Sequence, residues 1–253
     1  MGAGLMLFSL LLAVAAPAGD PVIPLIEGEG DRQCLPDGSL CLALSTGEDA
    51  SDDPVLLIAS SASGAASRIE VPALNDAETV ELWPALIAAR GDAGAPRYLV
   101  GLLGRQNAMY SGGGGSATRL HLFALDPAGA KLGAELLDIP WHGSLLIRAC
   151  FSDQDSKDRL EACHDSYDFD ATLTAAADGA AAMPTLGYRT VATAFPRGSR
   201  RSGDNSDTKL TPADLVRAPD PVCSYDRLLR YNPATARYDM DRPAPDCSDY
   251  TTP

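Results

Sequence analysis

Histidine, tryptophan and local catalytic motifs are scarce in this chain. Its 253 residues include three histidines and two tryptophans. The chain has no Gly-x-Ser-x-Gly motif, which the nucleophile elbow of an α/β-hydrolase requires. It also has no His-x-x-x-His or His-x-x-Glu-His spacing, the local signature of helical zinc hydrolases. These absences favour a binding protein over an enzyme.

Positive charge is scarce as well. The 20 Lys and Arg residues are outnumbered by 34 Asp and Glu residues, which gives a net charge of −14. Binding to a phosphate backbone needs clustered Lys and Arg. The charge balance therefore excludes nucleic acid as a partner and disfavours anionic lipid surfaces.

A long apolar run occurs once, at the amino terminus. Residues 1–15 are almost wholly apolar, and Ala16-Pro17-Ala18 supplies the small residues that a signal peptidase recognises. The apolar core of about 12 residues is shorter than the ~20 that a membrane-spanning helix needs. We therefore predict a signal peptide over 1–18 and a single exported domain over 19–253, periplasmic or extracellular and without a transmembrane segment. An uncleaved membrane anchor and a buried amino-terminal element are the alternatives.

The six cysteines form three pairs that are close in sequence. An even number of cysteines in an exported chain favours disulfides. Zinc is the alternative, but structural zinc sites use closely spaced Cys pairs, whereas six, twelve and twenty-three residues separate the members of these pairs. We predict the local bonds Cys34–Cys41, Cys150–Cys163 and Cys223–Cys247.

Short apolar runs between polar, Gly and Pro residues dominate the rest of the chain, and such runs are typical of strands. They predict strands at 39–44, 55–58, 98–103, 118–125, 145–147, 169–174, 188–195 and 227–231. The predicted fold class is therefore all-β: an antiparallel two-sheet sandwich or a small propeller-like assembly, with long loops and local disulfides.

Helical patterns are short. Residues 211–216 begin with a capping Thr and a Pro, and residues 158–163 have room for a turn or two. Residues 75–90 are ambiguous, because Trp83-Pro84 argues against one continuous helix.

Two segments repeat one pattern. Residues 125–132 and 231–238 both run apolar–Asx–Pro–Ala–small–Ala–base–apolar. Asx followed by Pro favours a type I turn, and a small residue after it can close a hairpin. We predict two hairpins of the same construction.

Two further segments have the composition of mobile surface loops. Residues 111–116 read Ser-Gly-Gly-Gly-Gly-Ser, and residues 197–209 contain no apolar residue. A ligand-approach loop is the functional alternative for the first segment, and a basic docking patch or a protease-accessible site is the alternative for the second.

Acidic clusters are the candidate metal sites. Asp153, Asp155 and Asp158 lie in one polar segment, and residues 165–170 and 204–207 are further clusters of oxygen ligands. Calcium prefers oxygen ligands, so a calcium ion is the one cofactor that these segments suggest. Solvated turns are the alternative interpretation.

Tyrosines and arginines are interspersed near the carboxyl terminus, at Tyr225, Arg227, Arg230, Tyr231 and Tyr238. Exposed tyrosine beside arginine suits recognition of carbohydrate or protein. Aromatic residues on strands also commonly belong to the core, which is the alternative.

These patterns favour an exported, non-enzymatic binding or envelope-associated protein, whose partner is a protein, a glycan or another envelope component. A rigid β scaffold would present its binding loops. The alternative is a secreted hydrolase whose site is assembled from distant residues, with His142 or His164 acting beside carboxylates.

Overall fold

A computed structural model describes residues 21–45, 54–61, 66–74, 77–90, 96–126, 131–176 and 182–253. The predicted signal peptide, residues 1–18, lies outside the described residues. Within the described ranges, no helix is long and apolar enough to cross a membrane.

Strands account for most of the described chain, and helices are short. The first six strands are β1 (Val22–Pro24), β2 (Ile26–Glu27), β3 (Gln33–Cys34), β4 (Leu40–Ser45), β5 (Val55–Ser60) and β6 (Ala66–Glu70). The six long strands are β7 (Thr79–Arg90), β8 (Pro96–Tyr110), β9 (Gly113–Asp126), β10 (Lys131–Arg148), β11 (His164–Ala176) and β12 (Thr185–Phe195). The last strands are β13 (Ala218–Pro219), β14 (Asp226–Asn232) and β15 (Arg237–Met240), and the helices are α1 (Asp153–Asp158) and α2 (Ser248–Thr251).

The strands form two antiparallel sheets, which confirms the predicted all-β class. The larger sheet has ten strands in the order β1-β7-β8-β9-β10-β11-β12-β14-β15, with β13 paired to β12. The smaller sheet has the order β2-β3-β4-β5-β6. Consecutive strands pair along most of both sheets, as expected for short connections.

Strands β7–β9 are covered on both faces. In β8, the neighbouring Leu99 and Val100 are both 0% exposed although adjacent side chains of a strand point to opposite faces. On one face, Val100 packs in a cluster with Leu42 and Ile58 of the smaller sheet. On the other face, Leu99 belongs to a cluster that includes Phe169 of β11. The larger sheet therefore curves so that its own strands β8 and β11 pack against each other on one side. The smaller sheet packs against the opposite face of β8.

Strands β10–β12 keep one face open to solvent. Cross-strand partners point to the same face, and His142 of β10 pairs with Asp170 of β11, which pairs with Val191 of β12. All three of these side chains are exposed. This outer face carries the exposed polar pair His142 and Asp170.

The ambiguous segment 75–90 is mainly strand β7, with residues 75–76 outside the described residues. Pro84 lies inside the strand, at a register shift between Leu82 and Leu86. Proline has no backbone N–H to donate to a neighbouring strand. It is tolerated at such an irregularity because the regular hydrogen-bond ladder is interrupted there. The neighbouring Trp83 needs a glycine opposite it, because a Cβ on Gly101 would lie 2.7 Å from the Trp83 Cβ.

The glycine run at 111–116 is largely strand, which corrects the prediction of a mobile loop. The chain turns at residues 111–112, where Gly112 has a φ of +87°. Gly113 begins β9 and pairs with Tyr110, and a Cβ on Gly113 would overlap the carbonyl oxygen of Leu146. These glycines therefore allow three strands to approach closely rather than making the tip flexible.

Both predicted hairpins have the expected strand pairing. Tyr231 pairs with Tyr238 between β14 and β15, and Leu125 pairs with Leu132 between β9 and β10. Residues 127–130, in the second of these connections, lie outside the described residues. The three predicted disulfides are also confirmed: Cys34–Cys41, Cys150–Cys163 and Cys223–Cys247.

A buried ion pair holds the segment 197–209, which was predicted to be mobile. Arg159 is 0% exposed, and its guanidinium contacts the Asp165 carboxylate and the Asn205 carbonyl oxygen. The Asn205 amide donates to Asp165 Oδ2 at 2.7 Å, and Ser199 Oγ donates to Asp165 Oδ1 at 3.1 Å. Two side chains of the segment thus bind one buried carboxylate, and the segment is an anchored loop.

Asp220 joins the last disulfide to the carboxyl-terminal helix. Its carboxylate accepts the backbone N–H groups of Val222 at 2.8 Å and Cys223 at 3.1 Å, and the Tyr250 hydroxyl at 3.0 Å. Burial raises the pKa of Asp220, but these donors and the nearby Arg200 charge together lower it by more. Its pKa therefore lies below the ordinary value of 3.8.

This lowered pKa predicts a loss of stability in acid. Because the folded-state pKa is below the unfolded-state pKa, the ionised carboxylate stabilises the fold above about pH 4, and the contribution disappears as pH falls through the folded-state pKa. We expect Asp220→Asn to lower the Tm at neutral pH and to flatten the acid side of the Tm–pH profile, measured by circular dichroism. Asp226→Asn is the control, since that side chain is 76% exposed. Parallel profiles for wild type and Asp220→Asn would contradict the prediction.

Candidate functional site

The segment predicted to bind calcium is a capped helix rather than an acidic loop. Ser152 Oγ accepts the backbone N–H of Asp155 at 3.2 Å, and the Asp155 carboxylate accepts those of Phe151 at 2.8 Å and Ser152 at 3.0 Å. This reciprocal pattern is a capping box. Hydrogen bonds from the Ser152 hydroxyl and from these N–H groups lower the pKa of Asp155. The helix ends at Asp158, where the sequence predicted a helical turn to begin.

The three predicted calcium ligands do not come together. Asp155 is committed to the helix cap, and Asp158 Oδ1 lies 3.8 Å from the Lys209 ammonium. Among the described residues, one group of three potential metal-ligating side chains lies close together, and it lies elsewhere. Calcium binding by Asp153, Asp155 and Asp158 stays a prediction that no contact in this helix supports.

His142 and His164 lie on neighbouring strands but cannot share one site. His142 Nδ1 lies 2.9 Å from Asp170 Oδ1, and both side chains are exposed. His164 pairs with Arg148, which is six residues from His142 along β10. In an extended strand, six residues span about 20 Å.

The predicted tyrosines contribute mainly to the core. Tyr238 is 6% exposed and donates its hydroxyl to the Pro184 carbonyl oxygen at 3.0 Å. Tyr231 packs edge-on against Tyr238, with ring centroids 5.8 Å apart. These rings pack β14 and β15 against the core. The arginines of this region are therefore more available to a ligand than the tyrosines are.

An open groove lies beside these tyrosines, where β11, β12 and β14 meet the segment after β15. Its cavity volume is about 460 Å³. Three arginines, two aspartates and two threonines supply its polar lining: Arg189, Arg227, Arg242, Asp226, Asp241, Thr172 and Thr174. We call this cavity the arginine groove. Of the recognition residues predicted from sequence, Arg227 lines it and Arg230 does not.

Arg227 is the fixed cation of the arginine groove. Its guanidinium carbon lies 4.5 Å from the centroid of the Tyr225 ring. Its Nη1 and Nη2 donate to the carbonyl oxygens of Asp226 at 2.8 Å and Pro243 at 3.2 Å. Its Nε is buried and has no hydrogen-bond partner among the described residues. A buried N–H without an acceptor costs free energy, so this arginine is held at some expense of stability.

A second group of polar side chains, the His121 cluster, lies where β9 pairs with β10. His121 is 1% exposed, and its Nδ1 lies 2.7 Å from Glu135 Oε1 and 3.7 Å from Asp138 Oδ1. Two arginines contact the carboxylates: Arg119 Nε lies 2.6 Å from Asp138 Oδ1, and Arg237 Nη2 lies 3.0 Å from Glu135 Oε2. This is the group of three potential metal ligands found among the described residues.

Alternation along the sequence does not reveal the His121 cluster. Strand β10 has register shifts on both sides of Glu135, so its side chains depart from a simple period of two. The one local signal is that Arg119 and His121, two residues apart in β9, share a face. Only the register between β9 and β10 places Glu135 and Asp138 beside His121.

Comparisons with protein-family models, curated proteins and solved structures found no match to this chain. Its function is therefore inferred from its own residues. The three disulfides are consistent with an exported protein, because such bonds persist in oxidising compartments.

Proposed function

We propose that this chain is an exported, non-enzymatic binding protein that recognises a glycan through the arginine groove. The observation that carries the proposal is the lining of a cavity of about 460 Å³ by three arginines, two aspartates and two threonines. Arginine-lined and aspartate-lined surfaces of this kind supply both hydrogen-bond donors and acceptors. The disulfides support the exported location.

A glycan suits this lining because each sugar hydroxyl can both donate and accept a hydrogen bond. Arg189 and Arg242 can donate, and Asp226 and Asp241 can accept, so a single ligand chemistry uses both kinds of group. A purely anionic ligand fits less well, because it would meet two carboxylates in the groove and a net charge of −14 on the whole chain. The Tyr225 ring and the carbonyl oxygens of Asp226 and Pro243 hold Arg227 in place, so its positive charge has a fixed position beside the groove.

The test is a binding screen of the mature, oxidised protein against neutral and acidic oligosaccharides, followed by calorimetry on the strongest binder. We expect Arg189→Ala and Arg242→Ala each to weaken binding about tenfold or more. A hydrogen bond to a charged group contributes about 1.5–3 kcal/mol, and about 1.4 kcal/mol corresponds to a factor of ten.

Arg230→Ala is the matched control for these variants. Arg230 lies on β14, as Arg227 does, but it does not line the arginine groove, so its loss should leave affinity unchanged. Equal losses in the control and in the groove variants would contradict the location of the site. Failure of every oligosaccharide to bind would contradict the ligand class.

Hydrolysis is a second candidate function, favoured by the pair His142–Asp170. A histidine whose Nδ1 is held by a carboxylate is the orienting half of a Ser-His-Asp triad. Within the described part of the chain, His142 has no hydroxyl partner that could act as the nucleophile. Turnover of ester or glycoside substrates that His142→Asn abolishes would support this function, and unchanged turnover in that variant would exclude it.

A further inference from the structure

We propose that the His121 cluster binds a divalent transition-metal ion, with zinc as the best-matched ion, through His121, Glu135 and Asp138. This site is separate from the arginine groove and does not depend on the proposed function. One imidazole and two carboxylates are ligand types that zinc accepts, and three protein ligands leave a fourth position for water.

The spacing of the three donor atoms suits one ion. One ligand atom from each of His121, Glu135 and Asp138 lies within 4.8 Å of those of the other two residues. Zinc–nitrogen and zinc–oxygen bonds of about 2.0–2.2 Å place tetrahedral ligands about 3.3–3.6 Å apart. The distances from His121 Nδ1, 2.7 Å to Glu135 and 3.7 Å to Asp138, lie on either side of that range. Both distances from the imidazole therefore need to change by less than about 1 Å to suit one ion.

Arg237 leaves the Glu135 oxygen nearest His121 available, whereas Arg119 contacts the Asp138 oxygen nearest His121. Arg237 contacts Oε2 of Glu135, so Oε1 stays directed at His121. Such outer contacts orient metal-binding carboxylates. Arg119 contacts Oδ1 of Asp138, so this oxygen would be shared between the guanidinium and the ion.

An entry path lies next to the cluster. Glu135 lines a cavity of about 250 Å³ together with residues of the segment before β7 and of β9 and β10: Pro72, Ala73, Leu74, Phe123, Gly133 and Ala134. The side chain of Glu135 is 25% exposed, whereas that of His121 is 2% exposed. An ion could reach Glu135 from solvent and then be held by the buried imidazole.

The competing interpretation is a hydrogen-bonded network that needs no ion, in which Arg119 and Arg237 neutralise the carboxylates. The two interpretations differ in metal uptake. A metal site requires stoichiometric binding that depends on Glu135 and Asp138, whereas a network closed by arginines predicts none.

The experiment uses the mature protein with its disulfides intact. After treatment with chelator, the protein is equilibrated with Zn²⁺ or Co²⁺, passed through a desalting column and analysed for metal by atomic emission. We expect one ion per chain and a Co²⁺ visible absorption band typical of a low-coordinate site. Glu135→Gln and Asp138→Asn should each weaken binding by at least tenfold.

Asp170→Asn is the matched control, because it removes a carboxylate from the exposed His142–Asp170 pair outside the His121 cluster. This variant should bind metal as the wild type does. Absence of stoichiometric metal and of the Co²⁺ band in the wild type would overturn the proposal whether or not the variants fold. Equal metal retention by the wild type and by folded Glu135→Gln would also overturn it.

Discussion

Replacing Arg159 by methionine should lower the free energy of unfolding by about 3–5 kcal/mol. Arg159 is 0% exposed and Asp165 is 1% exposed, so the variant would leave the Asp165 carboxylate buried without its counter-charge. Removing one partner of a buried ion pair lowers the free energy of unfolding by more than the intact pair raises it. The remaining ion is still buried and has lost its compensating charge. Urea unfolding followed by circular dichroism measures the difference.

Two further variants separate lost charge from lost packing. Arg159→Met combined with Asp165→Leu removes both charges and should recover part of the lost stability. Arg189→Met removes an arginine that is 70% exposed and should change stability by less than about 1 kcal/mol. A cost for Arg159→Met no larger than that for Arg189→Met would show that the buried pair does not hold the loop 197–209.

Removing the Cys223–Cys247 bond by a double alanine substitution should cost about 2–5 kcal/mol. The bond joins residues 24 apart, and both cysteines belong to the larger core cluster. In the chain-entropy model, a longer closed loop restricts the unfolded chain more strongly. The cost should therefore exceed that of removing Cys34–Cys41, whose cysteines are 7 residues apart. Denaturant unfolding of the two oxidised variants gives the comparison.

The Cys34–Cys41 variant is the control for this prediction. It makes the same chemical change, and strands β3 and β4 stay paired through Gln33 and Leu42. A larger loss of stability in this variant than in the Cys223–Cys247 variant would contradict the prediction that the disulfide closing the longer loop stabilises the fold more.

The strands were predictable because each long strand buries at least one face. The apolar run at 98–103 lies within β8, where both faces are covered. The cysteine pairs were predictable because short separations favour local bonds, and the Asx-Pro pattern at 231–238 correctly predicts a hairpin. Each of these features depends mainly on neighbours in sequence.

Features fixed by contacts between distant residues were not predictable. Pro84 lies in a strand because β7 changes register at that point, and Gly113 lies in a strand because β10 approaches too closely for a side chain. The helix at Asp153–Asp158 was a different case, because Ser152-x-x-Asp155 resembles a capping box in the sequence itself. The local pattern therefore contained a helix signal that the acidic composition obscured.

The candidate sites were predictable only in part. The position of Arg227 among tyrosines in the sequence indicates a recognition role, and Arg227 lines the arginine groove. Arg189 and Arg242 come to the same groove from distant parts of the chain, so only the pairing of β12 with β14 and the path after β15 bring them together. The His121 cluster likewise depends on the register of β9 and β10.

Export and oxidation of this chain can be measured together by intact-mass spectrometry. The full chain is expressed in a bacterium with a periplasm, fractionated, and treated with a thiol-alkylating reagent before analysis. We predict a periplasmic or secreted product that begins at Gly19 and carries no alkylated cysteine, because all six are in disulfides. A cytoplasmic product that retains residues 1–18 and has alkylated cysteines would contradict the inference that this is an exported binding protein.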